Sequence, residues 1–193
     1  MSIIIGLTGP TGSGKSTASK QFEAFGFNVV DCDHLARVAV EKGTAGLEAL
    51  VETFGNKILN SDKSLNRKAL AEIAFKTKEN TELLNKTLLP HIAKLVLAEC
   101  EKSDKVLLDA PTLFESGLNS VCTATVAVLA DTDIRLKRIT ARDLIDDSAA
   151  LLRISAGKTD DFYKQNADYC LYNNGEQNEF LTEMKKLINN LSF

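Results

Sequence analysis

A glycine-rich loop near the amino terminus places the strongest constraint on how this chain folds. Residues 9–17 read GPTGSGKST, which contains G-x-x-x-x-G-K-S, and they lie between the apolar run Ile3–Leu7 and a helical stretch from Lys15 to Phe25. A strand, a glycine loop and a helix in this order bind phosphate, because glycines let backbone N–H groups approach phosphate oxygens. The pattern therefore predicts an α/β fold that binds a nucleotide.

The loop also supplies candidate binding residues. Lys15 is predicted to meet the β- and γ-phosphates as a mobile charge, and the Ser16 hydroxyl is predicted to bind Mg²⁺. The helix that begins near Lys15 adds the positive end of its dipole. We predict nucleotide contacts at six successive residues: Gly12, Ser13, Gly14, Lys15, Ser16 and Thr17.

Strand and helix patterns alternate along the rest of the chain. Two short apolar stretches end in a carboxylate, at Asp31 and Asp109, and Val126–Leu129 and Tyr169–Tyr172 are further strand candidates. Such alternation favours a mostly parallel sheet. We predict a three-layer α/β sandwich with a five-stranded sheet. The helix-rich stretch before Asp109 is expected to break near Pro90, because proline disrupts a helix interior.

Composition excludes several classes of protein. Hydrophobic residues make up 44% and charged residues 25%, which is typical of a folded domain, and the net charge of -3 argues against a nucleic-acid coat. No apolar run is long enough for a membrane helix, and the first residues lack the features of a signal peptide. Four scattered cysteines and two histidines favour neither disulfides nor zinc. We expect a cytoplasmic protein that binds neither nucleic acid nor membrane.

Two carboxylates follow the second predicted strand, at Asp31 and Asp33. Ligands of open α/β sheets bind beyond the carboxyl ends of the strands, so this pair is expected to face the phosphate loop. One could orient and deprotonate an attacking hydroxyl while the other supports Mg²⁺; alternatively, Asp33 only caps the helix beginning at His34. Asp109 could reach the metal through water, or could simply end its strand before Pro111.

Three arginines are spaced like one face of a helix: Arg135, Arg138 and Arg142. They could lie over a triphosphate and stabilise charge in the transition state, or form an ordinary solvated face. A guanine-reading N-K-x-D motif is missing, since Asn56–Leu59 and Asn85–Leu88 lack the aspartate, and no L-S-G-G-Q stretch indicates a transporter ATPase. A small-molecule kinase is favoured, and a nucleotide-hydrolysing switch stays the alternative.

Several further segments, together and in this order, resemble the dephospho-coenzyme A kinase family. They add to the loop the stretches DCDHLAR (31–37), FG (54–55), LNRKAL (65–70), LLPHI (88–92), DAPTLFE (109–115), RLKRITARD (135–143) and ADYCLYNNG (167–175). The resemblance implies ATP-dependent phosphorylation of the ribose 3′-hydroxyl of dephospho-CoA, which gives CoA and ADP in the last step of coenzyme A biosynthesis. Another nucleoside or nucleotide kinase is the runner-up.

The family build implies three parts within one kinase domain of a monomer or weak homo-oligomer. The core would comprise residues 1–59, 103–133 and 164–193, the helical CoA-binding insertion residues 60–102, and the lid residues 134–163. By position, Asp33 would be the base, and Lys15, Arg138 and Arg142 would complete the catalytic set. The loop of Asn173, Asn174 and Gly175 would lie near the ATP base, and Mg²⁺ would be held by Ser16 with Asp31 or Asp109, possibly through water.

The resemblance also implies a set of substrate contacts and three departures from the family pattern. Dephospho-CoA would contact Thr11, Asp33, Arg37, Pro90, His91 and Leu113. Leu89 stands where the family usually has histidine, and His91 is a possible substitute. Gly157 replaces a common glutamine after the Arg153 stretch, and Thr112 replaces a usual leucine.

Overall fold

The computed structural model describes residues 2–191 and contains a five-stranded parallel sheet with helices on both sides. The strand order is β2-β3-β1-β4-β5; β1 pairs in parallel with β3 and β4, and β4 pairs in parallel with β5. The strands are β1 (Ile3–Thr8), β2 (Asn28–Asp31), β3 (Lys105–Asp109), β4 (Ala124–Leu129) and β5 (Tyr169–Tyr172). The predicted fold class is confirmed.

Nine helices connect the strands within residues 2–191. They are α1 (Lys15–Ala24), α2 (Cys32–Val38), α3 (Ala45–Phe54), α4 (Arg67–Ala74), α5 (Lys78–Cys100), α6 (Thr132–Asp143), α7 (Asp147–Ser155), α8 (Asp160–Asn166) and α9 (Gln177–Leu191), with short 3₁₀ turns at Asn56–Ile58 and Leu118–Val121. None of these helices combines the length and the apolar character that crossing a membrane requires.

The chain divides into two compact units, 1–30 with 103–193 and 31–102. In the first unit, β4 is buried on both faces, which explains its unbroken apolar sequence. Val126 and Val128 join the cluster formed with α1 and α9, whereas Ala127 and Leu129 pack with Tyr163 of α8. The alternation along β4 therefore anchors a helical layer on each side of the sheet.

The second unit is helical. Thr44 caps α3 by accepting a hydrogen bond from the Leu47 N–H, and the apolar face of this helix buries Leu50 and Phe54 against residues of α4 and α5. This unit contains α2 and α3 in addition to the predicted insertion of residues 60–102. The division of the chain by function into core, insertion and lid stays a prediction.

The expected break at Pro90 is wrong, because α5 runs without interruption from Lys78 to Cys100. Pro90 removes the hydrogen bond that its nitrogen would give to the carbonyl of Lys86. Both residues are exposed, so water can serve that carbonyl. Leu84 and Val96 are buried on either side of the proline, and packing of α5 against α2, α3 and α4 supports both halves of the helix.

Candidate active site

The glycine-rich loop joins the end of β1 to the start of α1, and its backbone shape depends on two glycines. Gly12 (φ 80°) and Gly14 (φ 101°) adopt conformations that side chains disfavour. A Cβ atom at Gly12 would lie 3.0 Å from the Arg135 carbonyl oxygen, and one at Gly14 would overlap the side-chain nitrogen of Asn173. Both positions therefore require glycine for backbone shape and for space.

The loop encloses a pocket of about 390 Å³ at the amino terminus of α1, which Pro111, Arg138 and Arg142 help to line. Ser16 is exposed at this pocket, whereas Ser13 is buried. Positive side chains, a helix amino terminus and a glycine backbone make a site suited to a polyphosphate.

Lys15 and Asp109 form an ion pair at this pocket. The Lys15 Nζ donates to Asp109 Oδ1, and the two side chains are only 19% and 18% exposed. Asp109 thus faces the phosphate loop and does more than end β3. The pair balances two charges that would otherwise lie largely desolvated. Phosphates that bind in the pocket could replace Asp109 as the partner of Lys15.

Arg138 contacts carbonyl oxygens of the phosphate loop. Its Nη1 lies 3.4 Å and 3.2 Å from the carbonyl oxygens of Gly12 and Ser13, and its Nη2 donates to the backbone and side-chain oxygens of Asn173. Buried Asn173 in turn donates from Nδ2 to the Ser13 carbonyl at 2.8 Å. The network fixes the carbonyl groups of Gly12 and Ser13 in the loop.

Arg142 is oriented by a neighbouring carboxylate. Its Nε and Nη2 donate to the two oxygens of Asp143 at 2.7 Å and 2.9 Å, and Arg153 of α7 also donates to Asp143. The hydrogen bond with Arg142 lowers the pKa of Asp143 and raises the pKa of Arg142, so both stay charged. The Arg142 side chain is 60% exposed, which leaves it open to a ligand in the pocket.

The turn after β5 contains Asn173, Asn174 and Gly175, which make different contacts. Asn174 accepts a hydrogen bond from the Asp131 N–H through Oδ1 at 2.8 Å, which ties the turn to the start of α6. Gly175 packs close to Glu179, where a Cβ atom would lie 2.6 Å from the carboxylate oxygen. Asn173, however, is the residue that contacts the phosphate loop.

In the second unit, Asp31 is the N-cap residue of α2. Its Oδ1 accepts a hydrogen bond from the His34 N–H at 2.9 Å, so the alternative that Asp33 is only a cap is wrong. Asp33 lies exposed in the first turn of α2, and Arg37 lies exposed in its last turn. The predicted approach of Asp31 and Asp33 to the phosphate loop stays a prediction.

The predicted substrate contacts differ in exposure. Thr11 is half-buried and lines the loop pocket, whereas Pro90 is exposed on α5 and His91 packs near Gly46. Leu113 is fully buried, and its side chain packs against Gly6 of β1. Its observed role is packing, and its contact with substrate stays a prediction.

Of the positions that depart from the family pattern, Leu89 is half-buried in α5. Thr112 and Gly157 line a second cavity of about 330 Å³ in the first unit, together with Arg153, Lys158 and Tyr163. A side chain at Gly157 would meet little there, since the nearest atom to a Cβ is the Ile154 carbonyl oxygen at 3.5 Å.

Known proteins match this chain over nearly its whole length. The sequence model of the dephospho-CoA kinase family matches residues 3–179. A dephospho-CoA kinase of Listeria innocua is 38% identical over 96% of this chain and 98% of its own length. This chain belongs to the dephospho-CoA kinase family.

Solved structures agree with membership of the dephospho-CoA kinase family. A protein of Thermus thermophilus has 30% identity and a TM-score of 0.82, covering 100% of this chain and 99% of its own. Dephospho-CoA kinase from Campylobacter jejuni has 26% identity and a TM-score of 0.71, covering 100% of this chain and 98% of its own. The recognition drawn from the sequence motifs is confirmed.

Sequence reasoning did not anticipate the contact of Asn173 with the phosphate loop, and it misplaced Arg135 in this kinase-family chain. The N-N-G stretch marked the region, but nothing in it separates Asn173 from Asn174, because both precede Gly175 in one polar turn. Arg135 shares the helical spacing of the other two arginines, yet it is buried. The groups that its side chain contacts, in the phosphate loop and in α8, are remote from it in sequence.

Gly14→Ala is expected to weaken ATP binding about tenfold or more, because the added Cβ would displace Asn173 and distort the loop. Calorimetric titration with ATP measures this. Gly26→Ala is the matched control: Gly26 also has a positive φ (84°), but nothing lies within 4 Å of the added Cβ. Gly26→Ala should cost stability of about 1–3 kcal/mol by strain alone and leave ATP affinity unchanged. Equal losses of affinity would contradict the steric argument.

Proposed function

We propose that this protein transfers the γ-phosphoryl group of ATP to the ribose 3′-hydroxyl of dephospho-CoA, giving CoA and ADP. Membership of the dephospho-CoA kinase family over residues 3–179 carries this assignment. The phosphate loop with Lys15 and Arg138 at one pocket supports it, because these groups match what phosphoryl transfer requires. No observation favours a nucleoside kinase or a switch.

In the nucleotide half of the reaction, the loop backbone binds the β- and γ-phosphates and Lys15 moves from Asp109 to them. Mg²⁺ fits the donors present, since Ser16 is exposed at the pocket and the Asp109 carboxylate pairs with Lys15, which lines the pocket. Bound with ATP, the ion would neutralise charge on the β- and γ-phosphates. Asp109 is a better candidate than Asp31, whose Oδ1 already caps α2.

In the acceptor half of the reaction, Asp33 accepts the proton of the 3′-hydroxyl as the hydroxyl oxygen forms a bond to the γ-phosphorus. The bond from that phosphorus to the β,γ-bridging oxygen breaks, and ADP leaves with the electron pair. Arg37 of α2 and His91 of the helical insertion bind dephospho-CoA. Alignment contributes most of the rate, because a loose transition state gains little from the base.

The lid of residues 134–163 closes over the bound substrates in this proposal. Arg142 and Arg138 then stabilise charge on the transferring group, and closure excludes water that would otherwise hydrolyse ATP. Arg142 is preoriented for this by Asp143. We further propose a cytoplasmic enzyme that acts as a monomer or weak homo-oligomer and binds neither nucleic acid nor membrane.

ATP turnover with different acceptors tests the function. We expect ADP formation with dephospho-CoA to exceed by about 10²-fold or more the rate with nucleoside monophosphates or without acceptor, because only the correct acceptor completes the aligned site. Analysis of the product should find phosphate on the ribose 3′-oxygen. Equal turnover with a nucleoside monophosphate would favour the runner-up kinase, and acceptor-independent GTP hydrolysis would favour the switch.

A further inference from the structure

Arg135 is a buried arginine on α6 whose contacts differ from those of its two neighbours in the helix. It is 4% exposed, and its Nε donates to the carbonyl oxygen of Thr11 at 2.9 Å. Its Nη1 lies 3.5 Å from the Oδ1 of Asp160 in α8, and its Nη2 has no hydrogen-bond partner within residues 2–191. Arg135 therefore holds the phosphate loop from behind.

Stability alone gives little reason for a cation here. Burial lowers the pKa of Arg135, and the smaller electrostatic effects of Asp160 and Tyr163 raise it. A desolvated guanidinium with one unpartnered nitrogen costs folding free energy, and an apolar side chain of similar length would fill the space as well. The charge and the donor at Nε serve something other than packing.

The contact with Thr11 sets the direction of a backbone amide. In a trans peptide the C=O of one residue and the N–H of the next point in opposite directions. With the Thr11 carbonyl held by Arg135, the Gly12 N–H is directed away from α6. That N–H has no acceptor within the described chain, and Gly12 lines the phosphate pocket.

We propose that Arg135 is a positioning residue that preorganises the phosphate loop by fixing the peptide between Thr11 and Gly12 before ATP binds. Asp160 orients the guanidinium for this task from the opposite side. The proposal deepens the proposed function and rests on it in one respect, namely that the loop binds the phosphates of ATP. Preorganisation improves affinity because the loop then loses less freedom on binding.

The test compares Arg135→Met, Arg135→Lys and the control Lys137→Met in the full chain. Lys137 is exposed on the same helix, and its replacement removes one positive charge without touching the loop. Calorimetric titration gives the Kd for ATP, steady-state kinetics gives the KM for dephospho-CoA, and thermal unfolding without ligand gives Tm.

We expect Arg135→Met to raise the Kd for ATP about tenfold, since hydrogen bonds from charged donors are strong. The KM for dephospho-CoA should stay within about twofold. Tm without ligand should change little, because removing the cost of burying the charge offsets the partner that the Thr11 carbonyl and Asp160 lose. Arg135→Lys should restore part of the affinity through its single donor, and Lys137→Met should match the unsubstituted protein.

A structural role would lower Tm and weaken both substrates equally. The proposal is overturned if the Kd for ATP rises less than about threefold, or if it rises no more than the KM for dephospho-CoA. Should Arg135→Met not fold, the same two criteria apply to Arg135→Lys. Because the Kd for ATP is measured without acceptor, it decides the role of Arg135 even if the unsubstituted protein does not phosphorylate dephospho-CoA.

Discussion

Lys15→Ala is expected to lower kcat by about 10²-fold or more, because it removes the mobile ammonium group that binds the β- and γ-phosphates and stabilises the charge that develops on the leaving ADP. The substitution also leaves Asp109, which is 18% exposed, without its ion-pair partner. That carboxylate would then face the incoming phosphates unneutralised, so ATP affinity should fall as well. Single-turnover kinetics at saturating ATP separates the loss in transfer from the loss in binding.

Lys20→Ala is the matched control for the loss of one positive charge on α1, since Lys20 is exposed on the same helix. It should turn over at the unsubstituted rate. Lys15→Ala should fold, with a Tm somewhat below that of the control because Asp109 loses its ion-pair partner. Near-normal turnover by Lys15→Ala would contradict the assignment of Lys15 to the transferring phosphate.

The sequence was sufficient where each local pattern had one explanation. β5 was predicted with its observed bounds, Tyr169–Tyr172, and the helix after the phosphate loop was predicted from Lys15, where α1 begins. Strand and helix periods depend only on neighbours in the chain, and a parallel sheet is the common way to bury strands that alternate with helices. The fold class therefore follows from local patterns of hydrophobic residues alone.

Prediction failed where a neighbour distant in sequence decides the outcome. Pro90 breaks no helix, because exposure of its face leaves the freed carbonyl to water and packing holds both halves. Which of two aspartates caps α2 depends on where the helix begins, and the structure starts it at Cys32. The sequence alone places the first turn only to within a residue or two.

The residues of the candidate site that bind phosphate could be predicted from the sequence, but the residues that hold the phosphate loop in place could not. The loop motif identifies Lys15 and Ser16 directly, because the spacing itself is the signal. Asn173 is 160 residues from the Ser13 carbonyl to which it donates, and no local pattern encodes that contact. The supporting contacts made by Arg135 and Arg138 likewise become visible only when α6 is packed against the loop.

Arg138→Ala is the second substitution expected to cost about 10²-fold or more in kcat. The guanidinium lines the phosphate pocket, and it also holds the loop through the Ser13 carbonyl at 3.2 Å and Asn173 at 3.0 Å. Charge in the transition state and geometry of the loop would both suffer. Arg138→Lys keeps the charge but not the planar fork, so it should recover only part of the rate.

Asn173→Ala separates the two contributions of Arg138. It removes the hydrogen bond from Asn173 to the Ser13 carbonyl and the one that Arg138 donates to Asn173 Oδ1. The arginine keeps its charge and its hydrogen bonds to backbone carbonyls. If charge at the transferring phosphate dominates, Asn173→Ala should lose about tenfold in kcat, well short of Arg138→Ala, with a similar decrease in Tm for both. Equal kcat for the two variants would assign Arg138 to loop geometry alone, because both lose support of the Ser13 peptide and only Arg138→Ala loses the charge.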